Sequence, residues 1–223
     1  MGSRIVENID EALLALLSQG IIHINDSIET DTADYVEDAL TLLRASGSPP
    51  VKIVINSVGG CMHSSFFIHD MLRSYEGGTT GIVIGKAMSG ANLILQGCQE
   101  RIATFGSLLF VHEMMMMDKL NVLKNKIKFQ EYLNDLIAWQ NKIYKIYQNR
   151  TGKTRRELVA IFEKEKRLSA EQALKLKFID RVVDAAELIA QPIPGLPNQQ
   201  NLEFELNSEQ LARILVPKRR KKK

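Results

Sequence analysis

Four clusters in this chain combine residue types and spacings that could do chemistry. Ser57-Val58-Gly59-Gly60 follows a β-branched run and precedes a helix-like stretch. Adjacent glycines there let backbone N–H groups turn into a cleft, where a helix N-terminus also favours negative charge. Such a pair can be a plain tight turn or a phosphate cradle, although no P-loop lysine pattern accompanies it. Ser89 sits in a strand–turn–helix setting among the small residues Ala87, Gly90 and Ala91. That setting exposes an Oγ, leaves room for a substrate carbonyl and frees the next N–H, that of Gly90, to donate to an oxyanion. The Gly-x-Ser-x-Gly form of an α/β-hydrolase elbow is missing, and taken alone Ser89 is more often a helix N-cap. His112 closes the apolar strand Leu108-Leu109-Phe110-Val111, where a histidine either faces a cleft or satisfies a buried hydrogen bond. His23, His63 and His69 compete with it. Glu163 and Glu165 lie in a charged loop of the kind that is usually solvated surface. Each signal is weak singly. Their order is more telling: glycine pair, serine, histidine, acid, each at or just beyond the end of a regular element.

The elements that must position these residues alternate. Asp10–Ser18 reads as a short helix and Ile21–Ile24 as a strand. Asp31–Leu43 has Ala33, Val36, Leu40 and Leu43 at helical spacing, with Thr30 or Asp31 as N-cap. Val51–Asn56 is a strand, Cys61–Tyr75 a helix, Gly81–Ile84 a strand, and an apolar helix runs from the Ser89 turn to about Gln96. Strands at Arg101–Phe105 and Leu108–His112 follow. Helices alternating with buried-type strands imply an α/β domain with a largely parallel sheet. From about Leu120 to Arg150 the pattern becomes one long helix, with Phe129, Leu133, Leu136, Ile137, Gln140, Ile143, Tyr144 and Tyr147 along one stripe. A domain of this size is barely wider than the helix's ~45 Å length, so part of it should project and bury its stripe on a partner subunit, the alternative being a helix lying flat over its own sheet. Arg155–Lys164 is a further helix. Ser169-Ala170-Glu171 caps another, and Phe178–Val183 closes the core as a strand. Beyond Ala190 the composition turns to Pro, Gly, Asn and Gln, with a strand at Asn201–Leu206 and a helix at Ser208–Leu215 expected after it.

Composition narrows the classes. At 223 residues, 45% hydrophobic and 25% charged, the chain has the make-up of a globular protein, not of a disordered or collagen-like one. Two cysteines, Cys61 and Cys98, are too few for a disulfide framework and lack CxxC spacing, which suits buried thiols in a reducing, cytoplasmic compartment. No apolar run reaches the roughly 20 residues of a membrane helix. The N-terminal segment mixes acidic with apolar residues, which does not fit a secretory signal. The net charge of +3 belongs to the tail: Lys218 to Lys223 are all basic, leaving 23 basic against 26 acidic groups elsewhere. That tail is read as a solvated end, with contact to an anionic partner as its functional alternative.

From about Gly20 to Val183 the chain resembles the ClpP family of compartmentalised serine peptidases. Ile53-Val54-Ile55-Asn56-Ser57-Val58-Gly59-Gly60 is similar to that family's strand and Asn-Ser-Pro-Gly-Gly turn, with Val58 in place of proline. Gly85-Lys86-Ala87-Met88-Ser89 is similar to its Gly-x-Ala-x-Ser signature, and Val111-His112 to the strand end that carries the base. The stretch Glu163–Ala173, followed by Ile179-Asp180, resembles the segment of the triad acid. The resemblance implies Ser89 as nucleophile, His112 as general base, Glu165 as the acid and the amides of Gly60 and Gly90 as the oxyanion hole, with no metal and no cofactor. It implies an α/β fold, the ClpP/crotonase-like superhelix of ββα units with a long projecting handle helix. The expected organisation is an N-terminal helical segment over 1–20, a peptidase domain over 20–189 with its handle at about 120–150, and a C-terminal extension over 190–223. Implied partners are further copies of the chain in a ring, two rings joined through the handle, with polypeptide substrates and an ATP-dependent unfoldase. The segment ahead of the first helix is shorter than the axial loops on which that unfoldase would dock.

Glu165 stands where the family has aspartate, and Asp180 is a lesser substitute. Met114-Met115-Met116-Met117 replaces a glycine-containing strand that pairs with substrate, as a groove, a ring contact or core packing. The expected activity is that of a serine endopeptidase. Its rivals are a catalytically silent ring subunit and a crotonase-like acyl-CoA enzyme, and a Ser–Lys pairing through Lys86 ranks below all three.

Overall fold

A computed structural model describes residues 13, 15–115 and 126–190. In chain order the elements are β1 (Ile21–Ile28), α1 (Thr30–Ala45), β2 (Val51–Gly60), α2 (Met62–Arg73), β3 (Thr79–Met88), α3 (Gly90–Gly97), β4 (Glu100–Thr104) and β5 (Leu108–Phe110). They are followed by α4 (Lys126–Thr151), α5 (Arg155–Phe162), β6 (Arg167–Ser169), α6 (Ala170–Lys175), β7 (Arg181–Val183) and α7 (Ala185–Ala190). The 7-stranded sheet has the order β1-β2-β3-β4-β7, with β5 on β3 and β6 on β5. Every pairing is parallel except β5–β6. The α/β architecture expected from the alternation is therefore the observed one.

The sheet is buried by its helices. Ile22 and Ile24 of β1, Ile53 and Ile55 of β2 and Val83 of β3 are fully buried, as are Val36 and Leu40 of α1 and Ile68 of α2. Each such side chain contributes on the order of 1.5–3 kcal/mol by leaving water. All eight residues of α3 are buried, so this helix has no solvent-facing side and lies at the centre of the domain. It packs on β2 and β3 and against α2 and α4.

β3 carries the structure's decisive branch. Its first half pairs with β4, Thr80 to Val83 against Glu100 to Ala103, and its second half pairs with β5, Lys86 to Met88 against Leu108 to Phe110. The chain bends between the halves at Gly85, whose φ is +91. A Cβ there would lie 2.8 Å from Asn56 Oδ1, so both the bend and the approach of β2 require glycine.

Several boundaries differ from expectation for local reasons. β1 continues through the polar Asn25-Asp26-Ser27 because β2 extends to Gly60 and pairs with it across a bulge at Asp26/Ser27. α1 begins one residue early, and the Glu29 N–H donates to Thr32 Oγ1 at 3.2 Å, so Glu29 and not Thr30 or Asp31 is the N-cap. Ser169 caps α6 as expected. The closing strand contracts to Arg181–Val183, because groups off the ladder take both polar atoms of Phe178, its N–H donating to the Ala173 carbonyl at 2.9 Å. Gln96 Nε2 donates to the Phe178 carbonyl at 3.2 Å, and Asp180 is held at Arg101. Over Lys126–Thr151 the long helix spans ~39 Å. Its C-terminal half is buried at Ile143, Tyr144 and Tyr147, whereas Ile137 remains 59% exposed and Ile127 72%. The expected helix at Asp10–Ser18 is helical at residues 13 and 15–18, while residues 10–12 and 14 lie outside the described residues. So do residues 120–125 of the long helix, Met116, Met117, and all of the extension after Ala190 with its basic tail.

Arg101 is 3% exposed, and its Nη2 meets Asp180 Oδ1 at 2.5 Å while Nη1 donates to Gln96 Oε1 at 2.6 Å. Burial pushes the Asp180 carboxyl up, but the hydrogen bonds and charge of Arg101 outweigh it and hold the group below its ordinary value. A depressed carboxyl stabilises the fold above its unfolded value and loses that contribution as pH falls through the folded one. Asp180→Ala leaves the guanidinium buried without its partner and should destabilise by about 3 kcal/mol, the low end for a broken buried pair because the carboxylate is itself partly solvated. Denaturant unfolding at neutral pH reads this, and the difference from the parent chain should shrink at pH values low enough to protonate Asp180.

Candidate active site

The parallel register of β3 and β5 brings the serine to the histidine. Met88 pairs with Phe110, and the Ser89 N–H donates to the Phe110 carbonyl at 2.9 Å. Both chains then leave the sheet at the same level, Ser89 into α3 and Val111-His112 along the cleft. The Ser89 carbonyl accepts from Asn92 N–H at 3.0 Å and Leu93 N–H at 3.2 Å, so the residue is pinned on both sides. Its φ of 51 with ψ of −122 is a conformation that costs a non-glycine residue on the order of 1–3 kcal/mol. The surrounding turn maintains it, and the outcome is an Oγ aimed out of the sheet. Ser89 is the N-cap residue of α3 by position, yet its side chain makes no capping bond. The hydroxyl is committed elsewhere.

It meets His112 Nε2 at 2.8 Å. The other ring nitrogen, Nδ1, lies 2.6 Å from the backbone carbonyl of Glu113. A carbonyl oxygen only accepts, so Nδ1 carries the proton and the neutral ring's Nε2 presents its lone pair to the Ser89 hydroxyl. The tautomer that a general base needs is thus set by a main-chain oxygen. Phe110 stacks under the imidazole, with ring centroids 5.3 Å apart and planes 28° from parallel.

The glycine pair arrives from β2. Ser57 pairs with Ala87, which sets Gly59-Gly60 beside Ser89-Gly90. A Cβ on Gly59 would lie 2.8 Å from Gly90 N, so the two backbones approach as only a glycine permits, and a Cβ on Gly90 would lie 2.3 Å from Ser65 Oγ. Gly90 opens α3, where its N–H has no intrahelical acceptor. The Ser57 side chain, fully buried, donates to the Asp26 carbonyl and accepts from the Gly59 N–H at 3.1 Å, fixing the turn from below. These residues open on a cavity of about 860 Å³ lined by Ser89, His112, Gly60, Met114, Met115 and Trp139. Of the methionine run, the two described members therefore face this cavity. Trp139 forms its wall, with Phe66 at 4.7 Å and Lys142 Nζ 4.2 Å from its ring.

The acid stands apart. Among the described residues no hydrogen bond reaches the Glu165 carboxylate, and His112 Nδ1 is taken by Glu113. Glu165 is an exposed turn residue with φ of 46. The antiparallel pairing ends at Phe110 with Arg167, so Glu165 lies in the turn ahead of β6 and His112 beyond the end of β5, both outside the paired register. Asp180 is engaged by Arg101, so it does not act as the substitute acid. His69 is buried against Asp70, and Lys86 lies within β3 opposite Leu108. Cys61 and Cys98 are both free thiols. Cys98 is buried, and burial pushes it up to about 12. Cys61, expected to be buried, is only half so and lies on the cavity wall. Reading the sequence missed Glu113, whose contribution is a carbonyl and so independent of residue type. It also placed Gln140 and Tyr144 only in an apolar stripe, where a glutamine one turn from a tyrosine was the available signal.

The family model described as Clp protease matches residues 6–186 of the chain. An ATP-dependent Clp protease proteolytic subunit 1 from Protochlamydia amoebophila is 26% identical over 179 residues, covering 78% of this chain and 85% of its own length. An ATP-dependent Clp protease proteolytic subunit from Deinococcus radiodurans is 26% identical over 172 residues, covering 76% and 82%. Among solved structures, a mutant of ClpP1 from Listeria monocytogenes superposes with a TM-score of 0.69 at 18% identity, covering 79% of this chain and 98% of that one. That likeness shows the fold, with its central sheet, helices and long handle helix.

Gly59, at φ +90, is constrained in both conformation and space, since a Cβ there would lie 2.6 Å from the Met88 carbonyl and 2.8 Å from Gly90 N. Both obstacles are backbone and cannot swing aside. Gly59→Ala should destabilise by about 1–3 kcal/mol and displace the Ser89 turn, read as a lowered thermal midpoint together with altered amide resonances of Ser89 and Gly90.

Proposed function

The chain belongs to the Clp protease family, and from that membership we propose that it is a serine endopeptidase acting through Ser89 and His112. The observation that carries the reading is the Ser89 Oγ–His112 Nε2 hydrogen bond of 2.8 Å, with the opposite ring nitrogen on a carbonyl. His112 Nε2 takes the hydroxyl proton as Ser89 Oγ bonds to the peptide carbonyl carbon. The resulting oxyanion accepts hydrogen bonds from the Gly60 and Gly90 amides. Collapse breaks the C–N bond, and the leaving amine takes the proton from Nε2. Water then repeats the sequence against the acyl-enzyme, its proton passing to Nε2 and back to Ser89 Oγ. Glu165, in the turn two residues ahead of the Arg167 that pairs with Phe110, supplies in this reading the negative charge that steadies the imidazolium, while the Glu113 carbonyl sets its tautomer.

The substrates in this reading are polypeptides entering the cavity beside Met114, Met115 and Trp139. The chain acts as a homo-oligomeric ring in a reducing, cytoplasmic compartment, with two rings meeting through the handle α4. The relatives' names include an ATP-dependent protease, and an unfoldase partner belongs to this proposal. So do contact of the basic tail with an anionic partner, the domain division at about residues 20 and 190, and the absence of any metal or cofactor from the reaction. No helix among the described residues is long and apolar enough to cross a membrane.

Ser89→Ala should abolish both peptide hydrolysis and labelling by a fluorophosphonate while the light-scattering mass stays that of the parent assembly. Labelling that persists in this variant, or a parent chain that assembles but never labels, would leave a silent ring subunit as the reading. Glu165→Gln should lower kcat by about tenfold, far less than loss of the nucleophile, because it removes charge but not the bond that orients His112.

A further inference from the structure

The catalytic imidazole is held by a backbone oxygen, and a backbone oxygen is only as well placed as the segment that bears it. That segment is neither helix nor strand: β5 ends at Phe110, and residues 111–115 are irregular. Two hydrogen bonds tie it to α4. The Tyr144 hydroxyl donates to Glu113 Oε1 at 2.6 Å, and the Met114 N–H donates to Gln140 Oε1 at 2.7 Å. Gln140 and Tyr144 are four residues apart and share one face of the helix. Gln140 grips the N–H of the very peptide group whose carbonyl receives His112 Nδ1–H, and Tyr144 holds the Glu113 side chain just ahead of it.

The grip is firmly mounted. Tyr144 is 1% exposed, its ring lies 5.3 Å from Phe162 and 4.8 Å from the Arg155 guanidinium, and the neighbouring Ile143 and Tyr147 are buried. Burial, and then the bond to Glu113, push the tyrosine well above its ordinary value, so the hydroxyl keeps its proton and remains a donor. Glu113 is itself exposed. Its carboxylate returns to water if the bond is lost, so breaking the contact does not strand a buried charge. A bond so easily dispensed with by the fold points to a role in placing what is attached to it.

We propose that Tyr144 and Gln140 are positioning residues which, through Glu113, hold the carbonyl that sets the tautomer and orientation of His112. The proposal rests on the serine-peptidase reading, and its test separates the two. Peptide hydrolysis and the rate of fluorophosphonate labelling are measured on the full-length assembled chain for the parent, Tyr144→Phe, Glu113→Leu and Glu113→Gln. Tyr144→Phe and Glu113→Leu should each lower kcat and the labelling rate by about 10- to 100-fold with KM unchanged, the scale expected when a reacting group is displaced by about an ångström. Glu113→Gln keeps an acceptor for the tyrosine and should retain near-parent rates. A purely structural contact would move the thermal midpoint without this split or this rescue. Should Tyr144→Phe fail to fold, the two substitutions at exposed Glu113 decide the matter alone. Parent-like labelling in Glu113→Leu, or equal losses in Glu113→Leu and Glu113→Gln, overturns the positioning role while leaving the peptidase reading intact. A parent chain without Ser89-dependent labelling overturns the peptidase reading, and the positioning role with it.

Discussion

One hydrogen bond, between the Ser89 hydroxyl and the His112 imidazole, is the constraint to which the rest of the site is fitted. It cannot form from local sequence, since 22 residues separate its ends. It forms because β3 divides its partners, taking β4 along its first half and β5 along its second. The division depends on Gly85, which turns the strand where Asn56 crowds it. Without that bend β5 has no strand to join, and the histidine has no fixed level relative to the serine. The strain at Ser89 belongs to the same economy. Its three backbone hydrogen bonds hold a conformation that a serine would otherwise leave, and the Oγ is aimed as a result.

The glycine side of the cleft is built by steric exclusion. Gly59, Gly60 and Gly90 lie so close to neighbouring backbone or to Ser65 that any side chain would collide. Close packing of main chain on main chain concentrates amide dipoles on a small volume. Those dipoles are already oriented, so stabilising a developing negative charge needs little reorganisation. The buried Ser57 beneath the turn, bonded to both β1 and Gly59, keeps them so.

Much of this was legible in the sequence, for identifiable reasons. The α/β alternation followed from apolar runs broken by glycines, and the glycine pair, Ser89 and His112 each fell at the end of such a run. Parallel strands bring such ends to one edge, which is why order along the chain carried information that spacing did not. The misses share a different cause. Phe178 and Ile179 look like strand residues because they are buried, yet the Phe178 N–H donates to the Ala173 carbonyl and its own carbonyl accepts from Gln96. Glu29 caps α1 through a bond made by its N–H to Thr32, which no N-cap preference for Thr30 or Asp31 reveals. Tyr144 and Gln140 sat at helical spacing with apolar residues, and only the packed structure separates their polar ends from the stripe. Glu165 was singled out by likeness of sequence alone, and its place in an exposed turn with φ of 46 is a tertiary matter.

The acceptor beneath His112 is part of the main chain, which has two consequences. It gains no proton in acid, so the ring's lower anchor stays in place at pH values where a carboxylate in that position would let go. It is also invisible to substitution at its own site, because every amino acid brings the same oxygen. A survey that replaced ionisable residues one by one would therefore pass over this contact and attribute its influence to whichever neighbours keep the peptide still.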